Sequence, residues 1–84
     1  MIIKYKIKLD TIDKVAKFVN IISAFDNDVD IIQGRFVING KSVMAIYSVD
    51  STRPLTVVIH DASTKDVVKL EELMKEFKID EDSI

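Results

Sequence analysis

Between Ile3 and Leu9 every second residue is apolar: Ile3, Tyr5, Ile7 and Leu9 alternate with Lys4, Lys6 and Lys8. A period of two is the repeat of a strand with one face on a core and the other in water. A helix does not accommodate it, so the chain must build a sheet that includes this segment. The lysine row could attract anions, but charges along a strand also discourage edge-to-edge pairing, and that is the reading taken here.

The period then changes. Asp10 or Thr11 is placed to cap a helix, with Asp13 positioned for a capping box, and Ile12, Val15, Ala16, Val19 and Ile22 recur at spacings of three and four. Phe18, Ile21 and Phe25 widen that stripe. Beyond Asp26-Asn27-Asp28 the residues Val29, Ile31 and Ile32 begin a second strand, which turns at Gln33-Gly34 into a third, Arg35 to Ile38. Asn39-Gly40 is a turn dipeptide, and Ser42 stands at the N-cap position of a short apolar helix containing Val43, Met44, Ile46 and Tyr47. Isolated helices under about twelve residues are marginal in water, so this one rests on a core or is kept to present something. Asp50 to Pro54 reads as a loop, Leu55 to His60 as a fourth strand, and Ser63 with Asp66 as the capping box of a last helix whose stripe is Val67, Leu70, Leu73, Met74 and Phe77. The order βαββαβα, with half-polar strands and single-striped helices, predicts an α+β open-faced sandwich: a four-stranded antiparallel sheet covered on one face by helices.

The chain has 84 residues, enough for a single domain over 1–84, with the acidic run at 80–84 expected to be a frayed tail. There is no cysteine and one histidine, which excludes a disulfide scaffold and a thiolate or histidine-cluster metal site. A net charge of -2, no tryptophan and dispersed aromatics speak against a nucleic-acid partner. The start alternates charge where a signal peptide would be apolar, and no apolar run approaches about eighteen residues, so membrane insertion is not expected. The expectation is a cytoplasmic protein, used whole.

The run Ile38-Asn39-Gly40-Lys41-Ser42-Val43-Met44-Ala45-Ile46-Tyr47-Ser48-Val49, within this element order and with Phe18-Val19 in register, resembles the HPr phosphocarrier family of the bacterial phosphotransferase system. In that family the serine before the short apolar helix is the target of a regulatory kinase, which the resemblance carries to Ser42. The family's phospho-accepting histidine stands in a Gly-x-His-x-Arg-Pro-Ala signature at the start of the first helix. Counted back from Phe18-Val19, its histidine position falls on Thr11, its arginine on Asp13 and its proline on Lys14. Asp13 replaces an attraction for phosphate with a repulsion, and Thr11 has no histidine base beside it, so it is read as a cap.

What the resemblance implies is therefore a member that does not carry phosphate on histidine, similar in logic to the catabolite-repression HPr-like proteins, with Ser42 as regulatory phosphorylation site. Ile12, Ala16, Val43, Met44 and Tyr47 are its expected partner-binding patch. Asp13, Asn20, Ser23 and Ala45 stand where the family often has basic groups around that patch. The expected partner is a protein: a transcription regulator, a kinase or a phosphotransferase component. Arg53 could return positive charge toward Thr11 if its loop lies against the first helix. His60 is read as a surface or loop histidine. No paired carboxylates in separated environments, nucleophile with base, or metal cluster is identifiable, so neither enzymatic activity nor a cofactor is expected. The alternative is a small-molecule-binding or oligomerising α+β domain, with a ligand-sized pocket between sheet and helices or a self-complementary face that uses the first strand.

Overall fold

The computed structural model describes residues 1–79; the acidic tail expected at 80–84 lies outside the described residues. The elements follow as β1 (Ile3–Ile7), α1 (Ile12–Ser23), β2 (Val29–Gln33), β3 (Phe36–Asn39), α2 (Val43–Tyr47), β4 (Leu55–Ile59) and α3 (Thr64–Leu73). The sheet order is β1-β4-β2-β3, and each neighbouring pair is antiparallel. The predicted α+β open-faced sandwich is what forms.

Register explains which side is covered. Tyr5 lies opposite Val57, Val57 opposite Ile31, and Ile31 opposite Ile38, so one row crosses the whole sheet on one face. That face carries the helices. Val15, Phe18 and Ile22 of α1, Ile46 of α2 and Leu70 of α3 are buried against it, together with Met74 and Phe77 just after α3. Phe18 and Phe77 meet edge to face with centroids 6.0 Å apart, a geometry that adds about 0.5–1.5 kcal/mol to the burial itself. On the open face Lys4, Val58 and Asp30 form one row, and Lys6, Thr56, Ile32 and Val37 the next.

Several local expectations shift. Thr11, not Asp10, caps α1, with its hydroxyl accepting from the Lys14 N–H at 3.1 Å; Asp13 is then one residue too early to close a capping box. Ser63 and Asp66 do form theirs. Gln33 pairs with Phe36, so the β2–β3 turn is Gly34-Arg35, one residue later than expected, with Gly34 at φ +60°. Gly34 supplies the positive φ that a tight turn needs. Met74 and Phe77 continue the buried stripe of α3 after the helix has ended.

The outer edge of β1 is paired at its C-terminal end. The Lys8 N–H donates to the Phe77 carbonyl at 3.0 Å, and the Ile79 N–H donates to that of Lys6 at 3.1 Å. The opposite edge is β3, where Phe36 and Val37 are exposed.

Candidate functional site

The site begins with how α2 is entered. The Gly40 N–H donates to the Val29 carbonyl at 2.7 Å, so the chain leaves β3 pressed against β2. A Cβ on Gly40 would sit 2.5 Å from Cγ1 of Val29, which is why this position takes glycine. Asn39 then turns the backbone: its side-chain oxygen accepts from the Lys41 N–H at 2.8 Å and its carbonyl from the Ser42 N–H at 3.0 Å. Lys41 reaches back to α1, and its ammonium donates to the carbonyls of Ile22 and Phe25. Both carbonyls lie at the C-terminal end of α1, where a cation is favoured; that of Ile22 also accepts from the Phe25 N–H at 3.1 Å.

Ser42 is the N-cap of α2, as expected, with its hydroxyl accepting from the Ala45 N–H at 3.4 Å. That distance exceeds the usual range of a strong N–H···O bond, so the hydroxyl is weakly held. Ile46 is the one residue of α2 that the core takes fully. Val43 and Tyr47 stand about half exposed, and Met44 is 83% exposed.

Across from them Ile12, on the first turn of α1, is 77% exposed, although the helical spacing also placed it on the buried stripe. Val15 is the first residue of α1 that the core buries, and the turn before it stays outside the core. Ala16 is half-buried. Ile12 and Tyr47 line a concavity of about 200 Å³ that also includes Thr11, Ile46 and Ser51. Ile12, Val43, Met44 and Tyr47 therefore remain on the surface where α1 meets α2, while Ala16 contributes only an edge.

The charges around this patch are settled locally. Asp10 pairs with Lys14 at 3.1 Å, and that contact is the main reason its carboxyl stays below the ordinary value of 3.8. Asp13 is exposed in the first turn. Arg53 does not reach Thr11: its Nη2 lies where a Cβ on Gly34 would be 3.1 Å away, at the β2–β3 turn. Ser51 is the residue of that loop that borders the Thr11 concavity. His60 sits just beyond β4, with its ring 2.9 Å from Asp30, so it supplies no base to Thr11.

A larger and more open concavity, about 950 Å³, lies elsewhere, between the α1–β2 loop and α3, with Asp26, Asp28, Asp61, Asp66 and Glu72 on its walls. Asn27 ties this corner together, donating to the carbonyls of His60 and Asp61 and to the Asp66 carboxylate. Among the described residues, no three His, Cys, Asp or Glu side chains are placed to hold a metal ion. No helix among them is long and apolar enough to cross a membrane.

Two functional features escaped the sequence reading. Lys41 as the closure of α1 left no local trace, because its acceptors lie sixteen and nineteen residues away. Gln33 did leave one: it continues the alternation Val29, Ile31, Gln33, which places a polar side chain on the core face. No model of a known protein family matches the chain, and no curated protein matches it in sequence.

Proposed function

We propose that this protein is an HPr-like regulatory or binding module that docks a protein partner through the α1–α2 surface, with Ser42 as its phosphorylation switch and no phosphohistidine chemistry. The observation that carries the reading is the exposure of Met44 beside a loosely capped Ser42 hydroxyl, with Ile12 exposed next to Tyr47 at the other end of α2. A five-residue helix that commits only Ile46 to the core and turns Val43, Met44 and Tyr47 outward is better explained by docking than by packing. The run from Ile38 to Val49 and the βαββαβα order support the family reading, and the partner class follows from it: a transcription regulator, a kinase or a phosphotransferase component.

The switch has a physical basis. Phosphorylation would add about -1.5 to -2 charges next to Val43 and Met44. Lys41, the adjacent cation, is already committed to the carbonyls of Ile22 and Phe25, so the new charge would face the partner largely uncompensated. Thr11 spends its hydroxyl on the Lys14 N–H, and Asp10 and Asp13 flank it with negative charge. Incubation with enzyme I and phosphoenolpyruvate should therefore leave no acid-labile phosphate on the protein. Detection of phosphohistidine would overturn this part of the reading.

A further inference from the structure

We propose that the corner between β3 and the α2–β4 loop binds a small molecule with an apolar body and a single carboxylate. Phe36 lies opposite Gln33, whose side chain is buried, so the Phe36 ring belongs to the helix-covered face of the sheet. It is nevertheless 73% exposed, and Ile38 on the same strand is only half covered. The helix over this end of the sheet is α2, five residues long, and it ends before the corner is closed. What remains is a cavity of about 310 Å³ with Ile31, Phe36, Ile38 and Val49 as its apolar walls. That is near the lower end of the range for ligand pockets, roughly 300–1,000 Å³.

The far wall is held in place rather than left loose. The Gln33 amide donates to the carbonyls of Asp50 at 2.8 Å and Arg53 at 3.2 Å, and its oxygen accepts from the Asp50 N–H at 2.9 Å. A buried side chain thus spends all of these bonds fixing the loop that faces Phe36. Arg53 borders the cavity, and its guanidinium makes no hydrogen bond or ion pair among the described residues. The Asp50 carboxylate, which also borders it, accepts from the Thr52 N–H at 2.9 Å and the Thr52 hydroxyl at 2.6 Å; it feels the Arg53 charge as well, but makes no ion pair with it among the described residues. A guanidinium whose donors are unspent, beside an apolar floor, selects a small hydrophobic acid, which would have to outcompete the pull of Asp50. A guanidinium engages a carboxylate through two parallel hydrogen bonds, and the apolar body would cover the Phe36 ring.

The test is calorimetric titration of the whole chain at neutral pH with hydrocinnamate, isocaproate and octanoate, with hydrocinnamamide as the uncharged control. The proposal expects saturable binding of at least one acid, one molecule per chain. Arg53→Gln or the amide should weaken it by roughly tenfold or more, the loss expected of a charge-assisted hydrogen bond. Phe36→Asp should abolish it. Both side chains are on the surface, and circular dichroism of each variant confirms that the fold is kept. Absence of saturable binding by all three acids, equal binding of the amide, or indifference to Arg53→Gln would overturn the proposal. A concentration-dependent dimer that Phe36→Asp splits, with no acid bound, would assign the corner to a second copy and overturn it equally.

Discussion

Lys41 and Ile22 are joined across nineteen residues: the Lys41 ammonium donates to the Ile22 carbonyl at 2.7 Å, so the residue before Ser42 closes the end of α1. The loop that presents the candidate switch and the helix that supplies Ile12 are thereby one mechanical unit.

Removing that closure should cost stability. A partly buried cation at a helix C-terminus contributes on the order of 1 kcal/mol, and Lys41→Met keeps the stem while deleting the charge. For a domain of this size the loss corresponds to a fall in melting temperature of about 4–8 °C. Thermal denaturation followed by circular dichroism measures it. An unchanged melting temperature would mean that the contact contributes nothing.

Gly40→Ala should destabilise the protein by about 1–3 kcal/mol through overpacking, because the new methyl group would meet Val29 at 2.5 Å from Cγ1 and 3.1 Å from the backbone oxygen. Combining it with Val29→Ala removes the clash with Cγ1 and leaves those with the Cβ, at 2.9 Å, and the backbone oxygen. The double variant should then be more stable than the sum of the two single losses allows, in urea denaturation, and strict additivity would exclude the clash.

Alkaline stability should report Tyr5. Its hydroxyl is pushed from 10.0 up to about 12, first by burial and then by the neighbouring Glu71 carboxylate, to which it donates at 3.3 Å. The folded state therefore prefers the protonated phenol. That contribution is fully present below pH 10 and is lost as pH rises from 10 toward 12. Tyr5→Phe should flatten the stability curve across that interval, while an equally steep curve in the variant would contradict the assignment.

The acid side should report Asp66. The Ser63 backbone N–H is the main cause that holds this carboxyl below its ordinary 3.8, with the Ser63 hydroxyl and the Asn27 amide adding to it. A depressed carboxyl contributes stability above the unfolded value and loses it as pH falls through the folded one, so the effect belongs below about pH 4. Asp66→Asn should reduce the pH dependence there in acid titration. An undiminished dependence would show that the box is not what senses acid.

The sheet was readable because Ile3 to Leu9 keep a strict period of two that burial on one face enforces, whereas Ile32 and Gln33 break that alternation in β2, and the turn after it was placed one residue early. The helices were readable from Val15, Phe18 and Ile22 and from Leu70, Met74 and Phe77. Spacing alone did not say where a helix stops contributing, so Ile12 counted as stripe although it is exposed, and Phe77 counted as helix although it follows it. The strand order and the pairing of Lys8 and Ile79 with their partners are non-local and leave no mark on neighbouring residues. At the candidate site, the Ser42 cap and the burial of Ile46 were visible in the pattern. The exposure of Phe36 was not: its register placed it on the covered face, and only the short reach of α2 leaves it open.

The proposed docking surface should respond to charge. Met44→Glu places a carboxylate on a side chain that is 83% exposed, so folding stability should stay within about 0.5 kcal/mol of the parent, as for other exposed positions. With a partner of the proposed class, binding should fall by tenfold or more, in line with loss of an apolar anchor. Retained affinity in surface plasmon resonance would remove α2 from the interface.

The most direct measurement is phosphorylation of Ser42 by the serine kinase of the HPr family with ATP, read by intact mass and by peptide mapping. The account predicts one phosphoryl group on the protein, located at Ser42, and none on Ser42→Ala. Absence of label on the parent chain, or equal label on Ser42→Ala, would contradict it.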